Sequence, residues 1–343
     1  MLFRSTYIPG GRNVGRVEQV PGGVSRNVVE DIANVELRPT FVSLVDDTGM
    51  GEDVVRQLRN HKVNTDYILR TPDGMGAWLA VFDNHGDVCA SISKRPDLRP
   101  LAALLDEKGD EIFRDADSIA LEIDMDKELV KRVFAYARKY GKAVYAVVSN
   151  MSIAVERRDF LQQTSCFVCN LQEAGILFSD DYSEKTPAEM EELLRLKVRS
   201  ARIPRMIVTM GEQGAVYAEM DGESGICPAT RVEVQDTTGA GDAFFAGATI
   251  GLTYGKTLGQ SCAIGSRLVK RQCSRDLLMK QERKDIAFVA LVGDARVCFC
   301  LAVEFQIAAH RNAKLECRNR QQFVVYDRSE ERRVGKECRS RWS

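Results

Sequence analysis

Residues 236–242 read DTTGAGD, and the apolar stretch AFFAGATIGL follows directly at residues 243–252. A short strand-like run, VEV, precedes them at residues 232–234. The order predicts a strand, a glycine-rich turn and a buried helix. Glycines at a helix start let backbone N–H groups converge on one point, where the helix dipole favours negative charge. The segment therefore predicts a site for a phosphate, or for the charge on a phosphoryl group in transfer.

Asp242 stands at the predicted entrance of this helix. A carboxylate at that point could take a proton from a substrate hydroxyl, and phosphoryl transfer to an alcohol needs both proton removal and charge neutralisation. A turn made by Gly239 and Gly241, with Asp242 acting only as a helix cap, fits the same pattern. The residues alone leave the two interpretations open.

Outward from this segment, residues 40–268 alternate between strand-like and helical stretches. The strand-like runs are residues 40–45, 118–123, 143–148, 166–169 and 205–210, and the helical stretches are residues 52–61, 127–140, 172–178 and 187–201. Strands separated by helices predict a mostly parallel sheet covered on both faces, in an α/β fold of three layers.

One part of the chain departs from this alternation. Residues 77–82 and 88–93 are both strand-like and are joined by a turn, which predicts a β-hairpin. With residues 15–20 it would form a small antiparallel sheet that serves as a lid and excludes water from the site. Because edge strands of such a lid could also pair between subunits, a homodimer is a further expectation.

The composition indicates a cytoplasmic enzyme. The formal net charge of the 343 residues is −1, so no basic excess points to a nucleic-acid partner. No apolar run approaches the roughly 20 residues that cross a bilayer, and the first residues are too short and polar for a secretory signal. Among the ten cysteines, Cys166 and Cys169 form a lone CxxC in a predicted strand. Buried packing is favoured there over a metal or redox site, which would need a second pair or a thioredoxin-like context.

The DTTGAGD segment resembles the C-terminal signature DTxGAGD of the PfkB (ribokinase-like) family of carbohydrate and nucleoside kinases. The resemblance implies an ATP-dependent kinase that phosphorylates a hydroxymethyl group of a sugar or nucleoside. It implies that Asp242 is the catalytic base. It also implies that the start of the helix forms an anion hole, made by Gly239, Ala240 and Gly241. The residues just before the helix, Thr237 and Thr238, would contact the nucleotide.

Two further motifs of this family follow in the expected order. Asn170 and Glu173 match an NxxE motif associated with Mg²⁺ and phosphate positioning, although Asn followed by Glu is also a common helix start. Thr209, Gly211 and Gly214 resemble the nucleotide-binding turn after a strand, although they would otherwise form an ordinary tight turn. The implied cofactors are ATP and Mg²⁺. K⁺ is a further candidate, because the family's cation site lies near residues 236 and 238.

The segment PGGVSRN at residues 21–27 bears on which acceptor the kinase phosphorylates. It resembles the family's N-terminal signature, in which the Gly22-Gly23 pair permits close approach of the sugar and Arg26 and Asn27 bind the acceptor. The GGVxRN motif is similar to that of pseudouridine kinases, which predicts pseudouridine as the acceptor. Other nucleosides, ribose and fructose are alternative acceptors. The segment could also be a loop followed by an amphipathic helix on which Arg26 is solvated and binds no acceptor.

The resemblance covers residues 10–268 and stops at both ends. Residues 1–9 leave no room for the family's first strand and its acceptor-binding Asp, so we expect a truncated or artefactual start. After Leu268 the chain is rich in Cys, Arg and Gln, which predicts that residues 269–343 are frame-shifted. Residues 328–343 resemble translated adapter DNA, with a disordered extension or a nucleic-acid-binding arm as alternatives. The sheet would then lack its first strand, and the chain could be an impaired copy that only binds ligand.

Two other functions compete with the kinase. A non-catalytic relative could bind a sugar or nucleoside phosphate as a sensor, but the sequence retains Asp242 together with Asn170 and Glu173. A dinucleotide-binding oxidoreductase would share the α/β alternation, but it would carry GxGxxG after its first strand. The glycine pairs at residues 10–11 and 22–23 do not have that spacing.

Overall fold

The computed structural model describes residues 15–16, 21–82, 88–230, 239–273, 299–301 and 322–324. The chain divides into two compact units. The larger unit comprises Gly23–Gly76 and Arg95–Phe305, and the smaller comprises Met1–Gly22, Ala77–Lys94 and Gln306–Ser343. The DTTGAGD residues 236–238, most of residues 12–20 and most of the tail lie outside the described part.

The strands are numbered in chain order. They are β1 (Gly15–Arg16), β2 (Thr40–Val45), β3 (Ile68–Arg70), β4 (Ala77–Phe82), β5 (Val88–Lys94), β6 (Ser118–Glu122), β7 (Ala143–Val147), β8 (Cys166–Asn170), β9 (Arg205–Thr209), β10 (Ala215–Glu219), β11 (Ser224–Cys227), β12 (Phe299–Leu301) and β13 (Gln322–Val324). The runs that alternation predicts as strands between residues 40 and 210 all form strands.

The helices are numbered in the same way. They are α1 (Val24–Asn34), α2 (Gly49–Asn60), α3 (Arg99–Arg114), α4 (Lys127–Tyr140), α5 (Met151–Ala154), α6 (Arg158–Leu161), α7 (Leu171–Phe178), α8 (Pro187–Ala201), α9 (Ala240–Thr253) and α10 (Leu258–Cys273). Two short 3₁₀ turns follow α5 and β9. Helix α10 continues past Leu268, where the sequence predicts the family-like part to end.

The larger unit is built on a nine-stranded sheet in the order β11-β10-β9-β8-β7-β6-β12-β2-β3. The strands from β9 to β3 are parallel neighbours, and β10 and β11 add an antiparallel edge. This confirms the predicted α/β fold with a mostly parallel sheet. Parallel strands buried on both faces read as continuous apolar runs, as the buried TFVSLV of β2 does.

Strand β12 lies between β6 and β2 and runs parallel to both. Its residues 299–301 pair with residues 119–121 on one side and 40–42 on the other. The sequence predicts a sheet without its first strand, and here the structure differs, because a short strand lies between β6 and β2. A gap between β6 and β2 would leave two rows of backbone N–H and C=O groups unpaired, and a strand from the tail pairs them. The division of the chain into a kinase domain at residues 10–268 and a frame-shifted tail at residues 269–343 stays a prediction.

Helices cover both faces of this sheet. On one face, α1, α9 and α10 pack against one another and against the strands. On the other, α3, α4 and α8 share a continuous apolar core with alternate residues of the strands. Helix α9 is buried all round from Ala243 to Leu252, which explains its unbroken apolar sequence. None of the helices in the described part of the chain is long and apolar enough to cross a membrane.

The smaller unit contains a four-stranded sheet in the order β1-β13-β4-β5. The predicted hairpin is present, because β4 and β5 pair antiparallel from Ala77 opposite Lys94 onward. β13 also pairs antiparallel with β4, whereas β1 and β13 are parallel. The predicted lid sheet is therefore antiparallel except for this one pair, and one of its strands comes from the tail.

Candidate active site

Polar residues, among them the predicted Asn170 and Thr209, lie at one edge of the larger sheet, where its parallel strands end. Asp124 follows β6, Asn150 follows β7, Asn170 ends β8 and Thr209 ends β9. In the strand register Asn170 lies directly opposite Thr209. Open α/β sheets bind ligands outside the carboxyl ends of their strands, so this edge is the expected place for a site.

Gly239, Ala240 and Gly241, the predicted anion hole, lie at the start of α9. Gly239 is the N-cap residue with φ of 75°, a left-handed conformation that glycine adopts without steric cost. Gly239 has no side chain that could cap the helix, and the first intrahelical bond runs from Ala243 N to Gly239 O at 2.9 Å. The N–H groups of Ala240 and Gly241 precede that bond and belong to the helix turn that lacks intrahelical acceptors. They can donate to an anion that binds at the helix N-terminus.

Asp242 does not act as a helix cap. It is the third residue of α9, and its Oδ2 accepts a hydrogen bond of 2.7 Å from Nδ2 of Asn27, on α1. Burial raises the pKa of the Asp242 carboxyl to about 6, against the opposing effects of the Asn27 hydrogen bond and of Arg26. The nearby charge of Glu173 adds to the increase. A carboxylate with a pKa just below neutrality is ionised at pH 7 and accepts a proton more readily than an ordinary aspartate.

Arg26 is buried, and it contacts neighbouring polar side chains instead of solvent. Its guanidinium donates to Asn27 Oδ1 at 2.8 Å and forms an ion pair with Glu30 one helical turn later. Because the Asn27 amide oxygen is engaged by Arg26, the Nδ2 group is directed at Asp242. Arg26 and Asn27 thus join the two parts of the site that lie 215 residues apart in sequence. Gly23, with φ of 107°, is the N-cap of α1, whereas Gly22 falls in the smaller unit.

Asn170 and Glu173 form a capping box at the start of α7. Asn170 Oδ1 accepts from Glu173 N at 2.8 Å, and Glu173 Oε2 accepts from Asn170 N at 2.7 Å. The helix-start interpretation of the NxxE motif therefore describes these contacts. The same contacts hold the Glu173 carboxylate at the sheet edge, where its charge acts on Asp242.

The acidic groups at this edge suit a hydrated divalent cation. Burial raises the pKa of Glu173, and the charge of Asp124 raises it further. Asp124, Glu173 and Asp242 thus concentrate negative charge, which Mg²⁺ would neutralise. Within the described residues, no three His, Cys, Asp or Glu side chains lie close enough to hold a metal together. Mg²⁺ usually keeps several waters and uses one or two carboxylates, so the donor set fits that mode of binding.

The predicted nucleotide turn connects β9 to β10. Gly211 and Gly214 have φ of 59° and 97°, and Met210 N donates to Gly214 O at 2.7 Å. A Cβ at Gly214 would lie 2.2 Å from the carbonyl oxygen of Cys227, so only glycine fits. Thr209 Oγ1 lies 3.5 Å from the carbonyl oxygen of Cys169. The other predicted nucleotide contacts, Thr237 and Thr238, lie outside the described residues.

The sequence interpretation missed two buried acidic residues near the site. Glu122, at the end of β6, accepts a hydrogen bond of 2.8 Å from Ser25 in the first turn of α1. Asp124 accepts from the backbone N of Ser149 and of Asn150, each at 3.0 Å, and thereby fixes the loop after β7. The sequence signal for them was the presence of two acidic residues, Glu122 and Asp124, at the end of an apolar strand. Buried carboxylates need specific partners, so such a pair indicates a polar site.

The CxxC motif has the environment of packed core residues. Cys166 and Cys169 are both buried free thiols on β8. Burial raises the pKa of Cys166 to about 12 and that of Cys169 well above its usual value. Such thiols remain protonated at neutral pH and are poor metal ligands and nucleophiles, which agrees with the packing interpretation.

The fold and this sheet edge together define a class of enzyme. A glycine-rich helix start, an aspartate with a raised pKa beside it and polar groups at the ends of parallel strands are the elements of phosphoryl transfer to an alcohol. Residues 4–275 match the family described as pfkB family carbohydrate kinase. The chain belongs to this family, and it is a phosphotransferase with an alcohol group as acceptor. The match extends beyond both ends of the predicted 10–268 range.

Individual relatives agree with this assignment. The chain is 31% identical over 261 residues to a guanosine-inosine kinase of Exiguobacterium acetylicum, covering 75% of this chain and 84% of the relative. It is 25% identical over 238 residues to the pseudouridine kinase of Escherichia coli, covering 68% and 74%. Among solved structures, ribokinase of Arabidopsis thaliana, complexed with ribose and ATP, superposes with a TM-score of 0.65 at 17% identity, over 79% of this chain and 88% of that one. The ribokinase-like fold predicted from the sequence is confirmed.

Proposed function

We propose that this protein is a nucleoside kinase that transfers the γ-phosphoryl group of Mg·ATP to the hydroxymethyl group of a ribonucleoside. The observation that carries the proposal is the hydrogen bond between Asn27 and Asp242. It joins the acceptor motif of α1 to the base at the start of α9. Kinases of this family generally use ATP and Mg²⁺.

In the proposed reaction the acceptor hydroxyl gives its proton to the Asp242 carboxylate while its oxygen attacks the γ-phosphorus. The bond from the γ-phosphorus to the bridging oxygen of ADP breaks, and Asp242 later releases the proton to solvent. The N–H groups at Ala240 and Gly241 stabilise the charge on the transferring group. Asn27 orients the base, and Gly23 and Arg26 belong to the acceptor side of the site. The nucleotide is held by the turn after β9, with Thr209, Gly211 and Gly214, and by Thr237 and Thr238.

Asn170 and Glu173 are the proposed Mg²⁺-side residues. Bound Mg²⁺ would neutralise phosphate charge and orient the phosphates. Glu173 Oε2 caps α7, and its carboxylate would add negative charge that favours the hydrated ion. A K⁺ site near residues 236 and 238 stays a prediction, as does cytoplasmic localisation.

Guanosine and inosine are the acceptors that sequence identity favours. The identity to the guanosine-inosine kinase is 31%, against 25% to the pseudouridine kinase. Pseudouridine, which the GGVxRN motif predicts, is the second candidate acceptor. A free sugar such as ribose or fructose is the alternative outside the nucleosides.

A panel of acceptors tests the proposal. ATP consumption by the purified chain would be measured with guanosine, inosine, pseudouridine, uridine, ribose and fructose, at fixed Mg²⁺ and with or without K⁺. We expect a ribonucleoside to give the highest kcat/KM. A free sugar ahead of every nucleoside would overturn the nucleoside assignment but not the family. ATP and acceptor binding without turnover would favour the impaired, ligand-binding copy.

Replacing Glu173 by Gln tests the Mg²⁺ assignment. The amide oxygen can still accept from Asn170 N, so α7 keeps its cap while the site loses one negative charge. We expect the Mg²⁺ concentration for half-maximal activity to rise by about 10–100-fold, as for other residues that act around a metal site. Titration of activity with Mg²⁺ at saturating ATP measures this change.

The chain offers a matched control for that variant. Thr186 and Glu189 form a second capping box at the start of α8. Glu189→Gln makes the same chemical change in the same motif on another helix, and it is expected to leave the Mg²⁺ requirement unchanged. Equal shifts in the two variants would exclude a specific role for Glu173.

Strand β5 is the feature that bears on the predicted homodimer. Among the described strands it is one edge of the four-stranded sheet, and Ile92 on it is 67% exposed. An edge strand can pair with a strand of another chain. Pairing of β5 between two copies is the proposed dimer contact.

A further inference from the structure

The two charged groups that the Asn27 side chain contacts determine the orientation of its amide. Arg26 Nη1 donates to Asn27 Oδ1 at 2.8 Å, and Asn27 Nδ2 donates to Asp242 Oδ2 at 2.7 Å. A guanidinium group can only donate hydrogen bonds, and an ionised carboxylate can only accept them. With the amide turned over, its NH2 group would face the guanidinium and its oxygen would face the carboxylate. Arg26 therefore selects the orientation in which Asn27 donates to Asp242.

Glu30, one turn further along α1, holds the Arg26 guanidinium. Arg26 Nη2 donates to Glu30 Oε2, and the two side chains form an ion pair. The two terminal nitrogens of Arg26 thus have different partners, Asn27 and Glu30, and together these contacts fix the plane of the guanidinium group. The Arg26 side chain is only 10% exposed, and a buried guanidinium needs a nearby negative charge. Glu30 supplies that charge from the same helix.

A second helix supports the Glu30 carboxylate. Glu30 Oε1 lies 3.5 Å from Nε2 of His61, the residue that ends α2. The other ring nitrogen of His61, Nδ1, lies 2.8 Å from Asn34 Oδ1 at the end of α1. One carboxylate oxygen of Glu30 is therefore directed at Arg26 and the other at His61. These contacts form a polar network that extends from the partly exposed His61 ring to the Asn27 amide.

We propose that Glu30 is a positioning residue, which holds the Arg26 guanidinium against Asn27 Oδ1 and thereby keeps Asn27 Nδ2 on the Asp242 carboxylate. The inference rests on the proposed function, in which Asn27 orients Asp242 toward the acceptor hydroxyl. Glu30 acts on the reaction through Arg26 and Asn27 and not by contact with the acceptor.

Stabilisation of α1 is the alternative role for the pair of Arg26 and Glu30. Ion pairs at this spacing stabilise helices, and the exposed pair of Glu128 and Lys131 on α4 is of that kind. If Glu30 only stabilised the helix, its removal would affect folding in the same way whether or not Asn27 is present. If Glu30 positions the amide, the effect of its removal on kcat depends on Asn27. The two roles are therefore separable by experiment.

A double-mutant cycle on kcat measures this dependence. We expect Glu30→Ala to lower kcat by about 10–100-fold and to leave the KM for ATP unchanged, because a displacement of about 1 Å in an orienting group can cost about 100-fold. In the Asn27→Ala background the same change should lower kcat by less than about 2-fold, because the orientation is already lost. Glu30→Gln keeps an oxygen that accepts from Arg26 and should retain most of the activity. Equal factors in the two backgrounds would overturn the proposal.

Two further variants control for folding and for loss of charge. Glu30→Asp keeps a carboxylate near the buried guanidinium but shortens the side chain by one methylene group, so it should fold and still have a lower kcat than Glu30→Gln. It decides the proposal if Glu30→Ala does not unfold cooperatively, and a native kcat in folded Glu30→Asp would then contradict it. Glu128→Ala, the matched control, removes the acid of the exposed pair on α4 and should leave kcat unchanged.

Side-chain amide NMR tests the positioning without any need for turnover. The full chain would be labelled with ¹⁵N-asparagine, and the NH2 resonance that disappears in Asn27→Ala is that of Asn27. We expect this resonance to shift in Glu30→Ala and to keep its native position in Glu128→Ala. An unchanged Asn27 resonance in Glu30→Ala would overturn the proposal. A shifted resonance together with no turnover for any acceptor would support the positioning of Asn27 and count against the proposed function.

Discussion

Replacing Asp242 by Asn is expected to lower kcat by about 10²–10⁴-fold, the usual contribution of a positioned general base. The amide cannot accept the acceptor proton, while its size and its position in α9 stay the same. ATP binding should change little, because the N–H groups at the start of α9 remain. Steady-state kinetics with the preferred acceptor and equilibrium binding of ATP measure the two effects.

The stability of this variant provides an internal check. The folded-state pKa of Asp242 is raised to about 6 from 3.8, so its ionisation is less favourable in the folded protein than in the unfolded chain. Ionised Asp242 therefore opposes folding above that range, and Asp242→Asn should melt at the same or a higher temperature at pH 7. Asp53→Asn serves as the control for a change of charge at an exposed site. Near-normal turnover in a folded Asp242→Asn protein would contradict the assignment of the base.

Truncating the chain after residue 298 is expected to abolish cooperative folding. The truncation removes β12, which lies inside the nine-stranded sheet and bonds to β6 and β2. Without it, two strands lose a neighbour and the sheet is divided at its middle, which no edge strand can repair. Circular dichroism during thermal unfolding measures the effect.

Two longer chains separate β12 from the rest of the tail. A chain ending at residue 327 keeps every described strand, and its melting temperature should match that of the full chain. A chain ending at residue 305 keeps β12 but loses β13 of the smaller sheet, and the larger unit should still unfold cooperatively. Cys300→Pro in the full chain removes a ladder donor from β12 and should destabilise the protein strongly. If the 298-residue chain unfolds like the 305-residue chain, β12 is dispensable and the frame-shift hypothesis for the tail is favoured.

Local patterns were sufficient for most of the α/β core. The helix predicted at residues 187–201 is α8, because Thr186, Pro187 and Glu189 form its start and the buried Met190, Leu194 and Val198 follow the helical period. The hairpin of β4 and β5 was likewise evident from two strand-like runs and one short turn. These features depend on residues close together in the chain, so a sequence pattern can specify them.

The contacts within the candidate site depended on tertiary structure. The sequence offered two interpretations of Asp242 and two of Asn170 and Glu173, and it could not decide between them. The N-cap residue of α9 is Gly239 and not Asp242, and packing of α1 against α9 brings Asn27 to the Asp242 carboxylate. In α7 the capping interpretation describes the observed contacts, and the Mg²⁺ role of Glu173 stays a prediction.

The sequence by itself determined the parallel α/β architecture, the family and the identity of the residues at the start of α9, because each follows from local periodicity or from a contiguous motif. Only the tertiary structure decided that Arg26 is buried, that Asn27 donates to Asp242, and that residues 299–301 join the central sheet. Each of these depends on contacts between segments far apart in the chain. Burial and the charges of distant residues determine the proton affinity of a carboxyl group, and neither is encoded in its immediate neighbours.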